Sequence, residues 1–68
     1  SGVTMIDPAS VTIDADVTIG NDVTIEPCAY LLGTTNIGAG ATIEFGCRLE
    51  NATIPAGATV VAHTSFKG

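Results

Sequence analysis

Val11-Thr12-Ile13-Asp14-Ala15-Asp16-Val17-Thr18-Ile19-Gly20-Asn21-Asp22-Val23-Thr24-Ile25 contains Val-Thr-Ile three times, each copy six residues after the last. Extending that frame places an aliphatic residue at Ile13, Ile19, Ile25, Leu31, Ile37, Ile43 and Leu49. One residue is then missing, and the frame resumes at Ile54, Val60 and Phe66. Two positions before these stand smaller residues: Val11, Val17, Val23, Ala29, Thr35, Ala41, Cys47, Ala58 and Thr64. Turn-forming residues separate the units at Asp16, Asp22, Gly40, Gly46 and Gly57. These residue types tolerate a left-handed backbone.

A period of six suits neither the 3.6 of a helix nor the 2 of a long strand. It suits a short strand that points small residue in, next out, aliphatic in, next out, followed by a tight corner. Three such sides close one coil of about 18 residues, and stacked coils bring like positions into columns about 4.8 Å apart. The expected fold is therefore an all-β, single-stranded parallel β-helix of about three and a half coils. Its inner columns are Ile25-Ile43-Val60, Ile13-Leu31-Leu49-Phe66 and Ile19-Ile37-Ile54. Residues 1–6 read as a lead-in and 7–68 as the hexad repeat, expected to be truncated and uncapped because Phe66-Lys67-Gly68 opens a new side and stops mid-coil.

Outward positions follow from the same frame. Thr24-Thr42-Thr59 and Thr18-Asn36-Thr53 should form polar ladders on solvated faces. Tyr30 should lie over Arg48, where a cation–π contact is expected. Glu50 should lie beside Lys67, and Glu26 over Glu44. Leu32 and Val61 should face outward, where each is a candidate subunit contact.

Composition narrows the function. The chain has 68 residues, 46% of them hydrophobic, with two Phe, one Tyr and no Trp. Its apolar mass is thus mainly Val, Ile, Leu and Ala, which suits thin uniform layers. Two basic against seven acidic residues give a formal charge of −5. Such a surface repels phosphate backbones and anionic headgroups, which argues against nucleic-acid and membrane partners. No apolar run reaches the ~18 residues that a membrane span needs. Cys28 and Cys47 are too sparse for a disulfide framework and belong to no CxxC pair. Cys47 occupies an inward slot and Cys28 a corner, so their side chains should diverge.

Four groups invite a chemical reading. His63, the single histidine, could act as a general base, but it falls on a corner with no carboxylate spaced to orient it, and a surface imidazole is the expectation. Asp7, Asp14, Asp16, Asp22, Glu26, Glu44 and Glu50 spread over corners and several faces as a solvated acidic surface. Glu26 and Glu44 alone stack closely enough to suggest a shared cation. The threonine ladders bring to mind ice-binding faces, but those need two parallel threonine ranks, and here the second rank reads Glu26, Glu44 and Val61.

The stretch Gly2-Val3-Thr4-Met5-Ile6-Asp7-Pro8, followed at once by hexads, resembles a known family. It is similar to the start of the acetyltransferase domain of the bacterial bifunctional N-acetylglucosamine-1-phosphate uridylyltransferase/glucosamine-1-phosphate acetyltransferase. Val17-Thr18-Ile19-Gly20, Ile37-Gly38-Ala39-Gly40-Ala41-Thr42-Ile43 and Cys47-Arg48-Leu49-Glu50-Asn51-Ala52-Thr53-Ile54 carry the resemblance across nearly the whole chain. It implies a left-handed coil, although parallel crossovers in general are right-handed. It also implies a cytoplasmic trimer that makes UDP-N-acetylglucosamine for the cell wall, using acetyl-CoA and, in its other half, magnesium. The family's Arg-Pro-Gly, Gly-Asn-Phe-Val and Asn-His segments match nothing here. No catalytic, cofactor-binding or metal-ligating residue is therefore assigned. The expectation is a homo-oligomeric structural stretch of that domain without catalysis of its own. The alternative is a free-standing or engineered β-solenoid scaffold with no substrate.

Overall fold

The computed structural model describes residues 2–68, so Ser1 of the lead-in lies outside the described residues. Short strands follow one another around three sides: β1 (Thr4–Met5), β2 (Thr12–Ile13), β3 (Thr18–Ile19), β4 (Thr24–Ile25), β5 (Tyr30–Leu32), β6 (Asn36–Ile37), β7 (Thr42–Ile43), β8 (Arg48–Glu50), β9 (Thr53–Ile54), β10 (Thr59–Val60) and β11 (Ser65–Lys67). Every third strand pairs in parallel, giving sheets ordered β1-β4-β7-β10, β2-β5-β8-β11 and β3-β6-β9. The register is that of the hexad frame: Ile25 against Ile43, Leu31 against Leu49, and Ile37 against Ile54. All three inner columns stand as the periodicity predicts. This is the hexapeptide-repeat β-helix.

The core is a narrow prism. Val23, Ile25, Ala29, Leu31, Ile37, Ala41, Ile43, Cys47, Leu49 and Ala52 are buried, with Met5, Val11, Ile13, Val17, Ile19, Ile54 and Val60 packed against them. Burial is complete in the middle coils because each aliphatic rung has a neighbour on both sides. Phe66 keeps its place in register with Leu49 but is 49% exposed. Among the described residues no rung lies over it.

Two irregular coils flank the regular ones. Met5 pairs with Ile25, twenty positions on, so the first turn carries two residues beyond eighteen. A 3-10 turn at Pro8–Ser10 takes up the surplus at a corner. There the Ser10 hydroxyl accepts from the Cys28 amide at 2.9 Å, tying the surplus to the next coil. Thr4 and Met5, read from the sequence as lead-in, are thus the first rung of the solenoid. Farther along, Asn36 pairs with Thr53, so that coil is one residue short.

Corners depart from the sequence expectation in one respect. Asp22, Gly40, Gly46 and Gly57 adopt positive φ as their residue types suggest, and so do Gly33, Cys28, Asn51 and His63. Asp16 does not. Its corner closes with the Val17 amide donating to the Asp14 carbonyl at 3.2 Å, the same bond that closes the Gly40 and Gly57 corners, but without a left-handed residue.

Candidate functional site

The residues singled out for chemistry lie at corners and on outward strand faces, where Glu26 and Glu44 share a column and, among the described residues, no group of three or more could hold a metal ion. His63 is exposed on the corner after β10, with φ of 62°. Its ring stands edge-on to Phe45 of the preceding coil, centroids 5.6 Å apart and planes at 78°. Below it sits Gly46, where a β-carbon would meet the His63 Nδ1 at 2.8 Å. The corner is shaped by this aromatic contact and by the His63 amide donating to the Phe45 carbonyl at 2.9 Å. The neighbouring Glu44 does not orient the imidazole. One of its carboxylate oxygens accepts from the Ala62 amide at 3.0 Å.

Other acidic residues enter the corners and strand faces through the side chain, as Asp14 and Glu50 do, or through the backbone, as Asp7 and Glu26 do. Asp14 Oδ2 accepts from the Gly33 amide at 2.9 Å. The Asp7 carbonyl receives both the amide and the hydroxyl of Ser10. Glu50 stands 3.8 Å from the Arg48 guanidinium on the same outward strand face. Arg48, in register with Tyr30 as expected, thus turns its charge toward a carboxylate instead of the phenol ring. An exposed pair at that distance is worth at most about 1 kcal/mol. Glu26 stacks in line with Glu44, its amide donating to the Ile43 carbonyl. Among the described residues no group of three or more His, Cys, Asp and Glu side chains is placed to hold a metal ion.

The two cysteines diverge as their hexad positions predict. Cys28 is an exposed free thiol on a corner, and Cys47 is buried. The Cys47 thiol points at the Val61 carbonyl, 3.1 Å away. Leu32, expected outward, is half-buried, whereas Val61 is 65% exposed. Around the corner of Phe45 and His63, the exposed apolar side chains are Val61 and Phe45 itself, with Ile6 in line with Glu26 on the first rung. The threonine rank grows by one residue, since Thr4 joins Thr24, Thr42 and Thr59.

Sequence reasoning placed Thr35 in an inward slot but missed the hydrogen bonds by which Thr34, Thr35 and Asn51 join the corner before β6 to the corner before β9. Thr35 is fully buried, and its hydroxyl donates to the Leu32 carbonyl at 2.8 Å while accepting from the Ala52 amide at 3.2 Å. Ala52 fills the small inward slot that the missing residue left unassigned. Asn51 sits beside them in a left-handed conformation, its carboxamide turned to Thr34. The visible signal was the five-residue interval itself, which marks this corner as irregular.

The family model described as bacterial transferase hexapeptide (six repeats) matches residues 16–51. The chain is similar to the bifunctional protein GlmU of Corynebacterium jeikeium, 49% identical over 65 residues, which is 96% of this chain and 13% of that relative. It is likewise similar to the bifunctional protein GlmU of Mycolicibacterium vanbaalenii, 49% identical over 61 residues, 90% of this chain and 12% of the relative. A cyanobacterial GlmU, from Cyanothece, is 48% identical over 60 residues, covering 88% of this chain and 13% of its own length. The chain therefore spans only a small part of the curated relatives it matches.

Proposed function

This chain belongs to the bacterial transferase hexapeptide family, and from that premise we propose that it is the opening stretch of the acetyltransferase domain of a UDP-N-acetylglucosamine-synthesising enzyme. In this reading it is a rigid β-helical stem that aligns copies of the chain in a cytoplasmic trimer and performs no catalysis itself. The observation that carries it is similarity to bifunctional GlmU proteins across 96% of the chain. A solenoid whose coils share one continuous aliphatic column transmits load along its axis and holds whatever is attached at fixed spacing. Acetyl transfer from a thioester to an amine needs a base that takes the amine's proton as it attacks. His63, packed against Phe45 on an exposed corner, is given no such role here. Acetyl-CoA and magnesium belong, on this proposal, to other parts of the parent enzyme. No helix among the described residues is long and apolar enough to cross a membrane.

The test uses the purified chain with acetyl-CoA and glucosamine-1-phosphate, alongside light scattering. The expected result is no acetylated product and a trimer mass. Turnover by this chain alone would remove the non-catalytic reading. A monomer at all concentrations would remove the trimerising one.

A further inference from the structure

We infer that the Asn51 carboxamide is a side-chain surrogate for the peptide group missing from its coil, a joint that lets a 17-residue turn stack on an 18-residue one without disturbing the core. The geometry begins with register. Leu32 faces Glu50 and Asn36 faces Thr53, so Gly33, Thr34 and Thr35 must be matched by Asn51 and Ala52 alone. Thr35 is matched by Ala52, both buried in the inner slot, with the Ala52 carbonyl accepting from the Asn36 amide at 2.8 Å. Gly33 is matched by Asn51, whose amide donates to the Leu32 carbonyl at 3.2 Å. Thr34 is left with no backbone opposite it. Into that place comes Asn51 Oδ1, accepting from the Thr34 amide at 2.9 Å and from its hydroxyl at 3.1 Å. A side-chain amide carbonyl is the closest chemical copy of a backbone carbonyl, and one methylene connects it to the chain.

Two further features make the device specific. Asn51 takes φ of 54°, a conformation asparagine tolerates better than other residues with a side chain, apart from aspartate. On the facing coil Gly33 leaves the room: a β-carbon there would collide with Asn51 Oδ1. The consequence reaches past the corner. Because the surrogate absorbs the missing residue locally, Ile54, Val60 and Phe66 fall on the columns begun by Ile19, Met5 and Ile13.

Thermal unfolding and amide hydrogen exchange of this chain test the inference. Asn51→Ala and Asn51→Gly should each lower the melting temperature by roughly 4–8 °C and speed exchange at Thr34, with Gly40 and Gly57 amides unchanged. Asn51→Asp, which keeps an acceptor oxygen, should stay closer to the parent. A glycine inserted after residue 51 should restore stability in Asn51→Ala, because it returns the missing peptide. Should Asn51→Gly match the parent, the residue serves only its backbone conformation and the inference fails. It fails equally if the insertion gives no rescue, or if Thr34 exchange is indifferent to the carboxamide. If Asn51→Ala does not fold, the Asn51→Asp and Asn51→Gly pair decides.

Discussion

Gly38 and Ala56 pass so closely on adjacent coils that a β-carbon added to Gly38 would collide with the Ala56 amide nitrogen. The same crossing one coil earlier brings Gly20 against Ala39, where the distance would be 2.6 Å. These glycines stand at the start of one corner column, where backbone meets backbone and no flexible side chain can give way. Gly38→Ala should therefore destabilise the fold by about 1–3 kcal/mol or more, as overpacking against rigid neighbours does. Chemical denaturation of the variant measures it, and an unchanged midpoint would show that the coils can separate freely.

Gly57 offers a contrast at the same corner. A β-carbon there meets nothing within 4 Å, but φ is 74°. The cost of Gly57→Ala is thus conformational, on the order of 1–2 kcal/mol. Asp22 occupies the equivalent position two coils away at φ of 59°. Gly57→Asn should accordingly be milder than Gly57→Ala, and the order of the two melting temperatures checks the argument.

Thr35→Val is close to isosteric, yet it removes the acceptor that the buried Ala52 amide uses. Leaving a buried donor unsatisfied costs about 1–3 kcal/mol. Thr64, in the equivalent slot of another column, also donates its hydroxyl to a carbonyl three residues back, that of Val61 at 2.6 Å, but at a less buried site. Thr64→Val should be the smaller loss. Urea midpoints of the two variants, measured side by side, decide.

The two thiols should react at very different rates. Cys28 is exposed and Cys47 is buried with its thiol directed at the Val61 carbonyl. A thiol reagent applied to the native protein should modify one cysteine per chain, and the second only on unfolding. Mass spectrometry of the labelled peptide should find Cys28. Equal labelling of both would mean that the middle coils open readily.

Truncating the column at Leu31 or Ile43, both fully buried, should cost about 2–5 kcal/mol per alanine. The same change at Ile13, only partly buried at the first coils, should cost less. The gradient, read by thermal unfolding, tests whether the middle rungs hold most of the stability.

The period of six determined nearly all of the fold, because inward and outward positions alternate along a strand and a fixed repeat length brings each strand back over itself. Columns such as Ile19-Ile37-Ile54 follow from that arithmetic alone, as does the separation of Cys28 from Cys47. Tertiary structure decided what happens where the arithmetic breaks. Nothing in the string Leu49-Glu50-Asn51-Ala52 says that a carboxamide will face Thr34, since that depends on the coil beneath and on the room left by Gly33. The same holds for Asp16, whose turn closes without a left-handed residue, and for Arg48, whose charge goes to Glu50 and not to Tyr30. Repetition is a property of one chain and can be read along it. Corner contacts arise between residues some seventeen positions apart, and only the stacked coils bring them together.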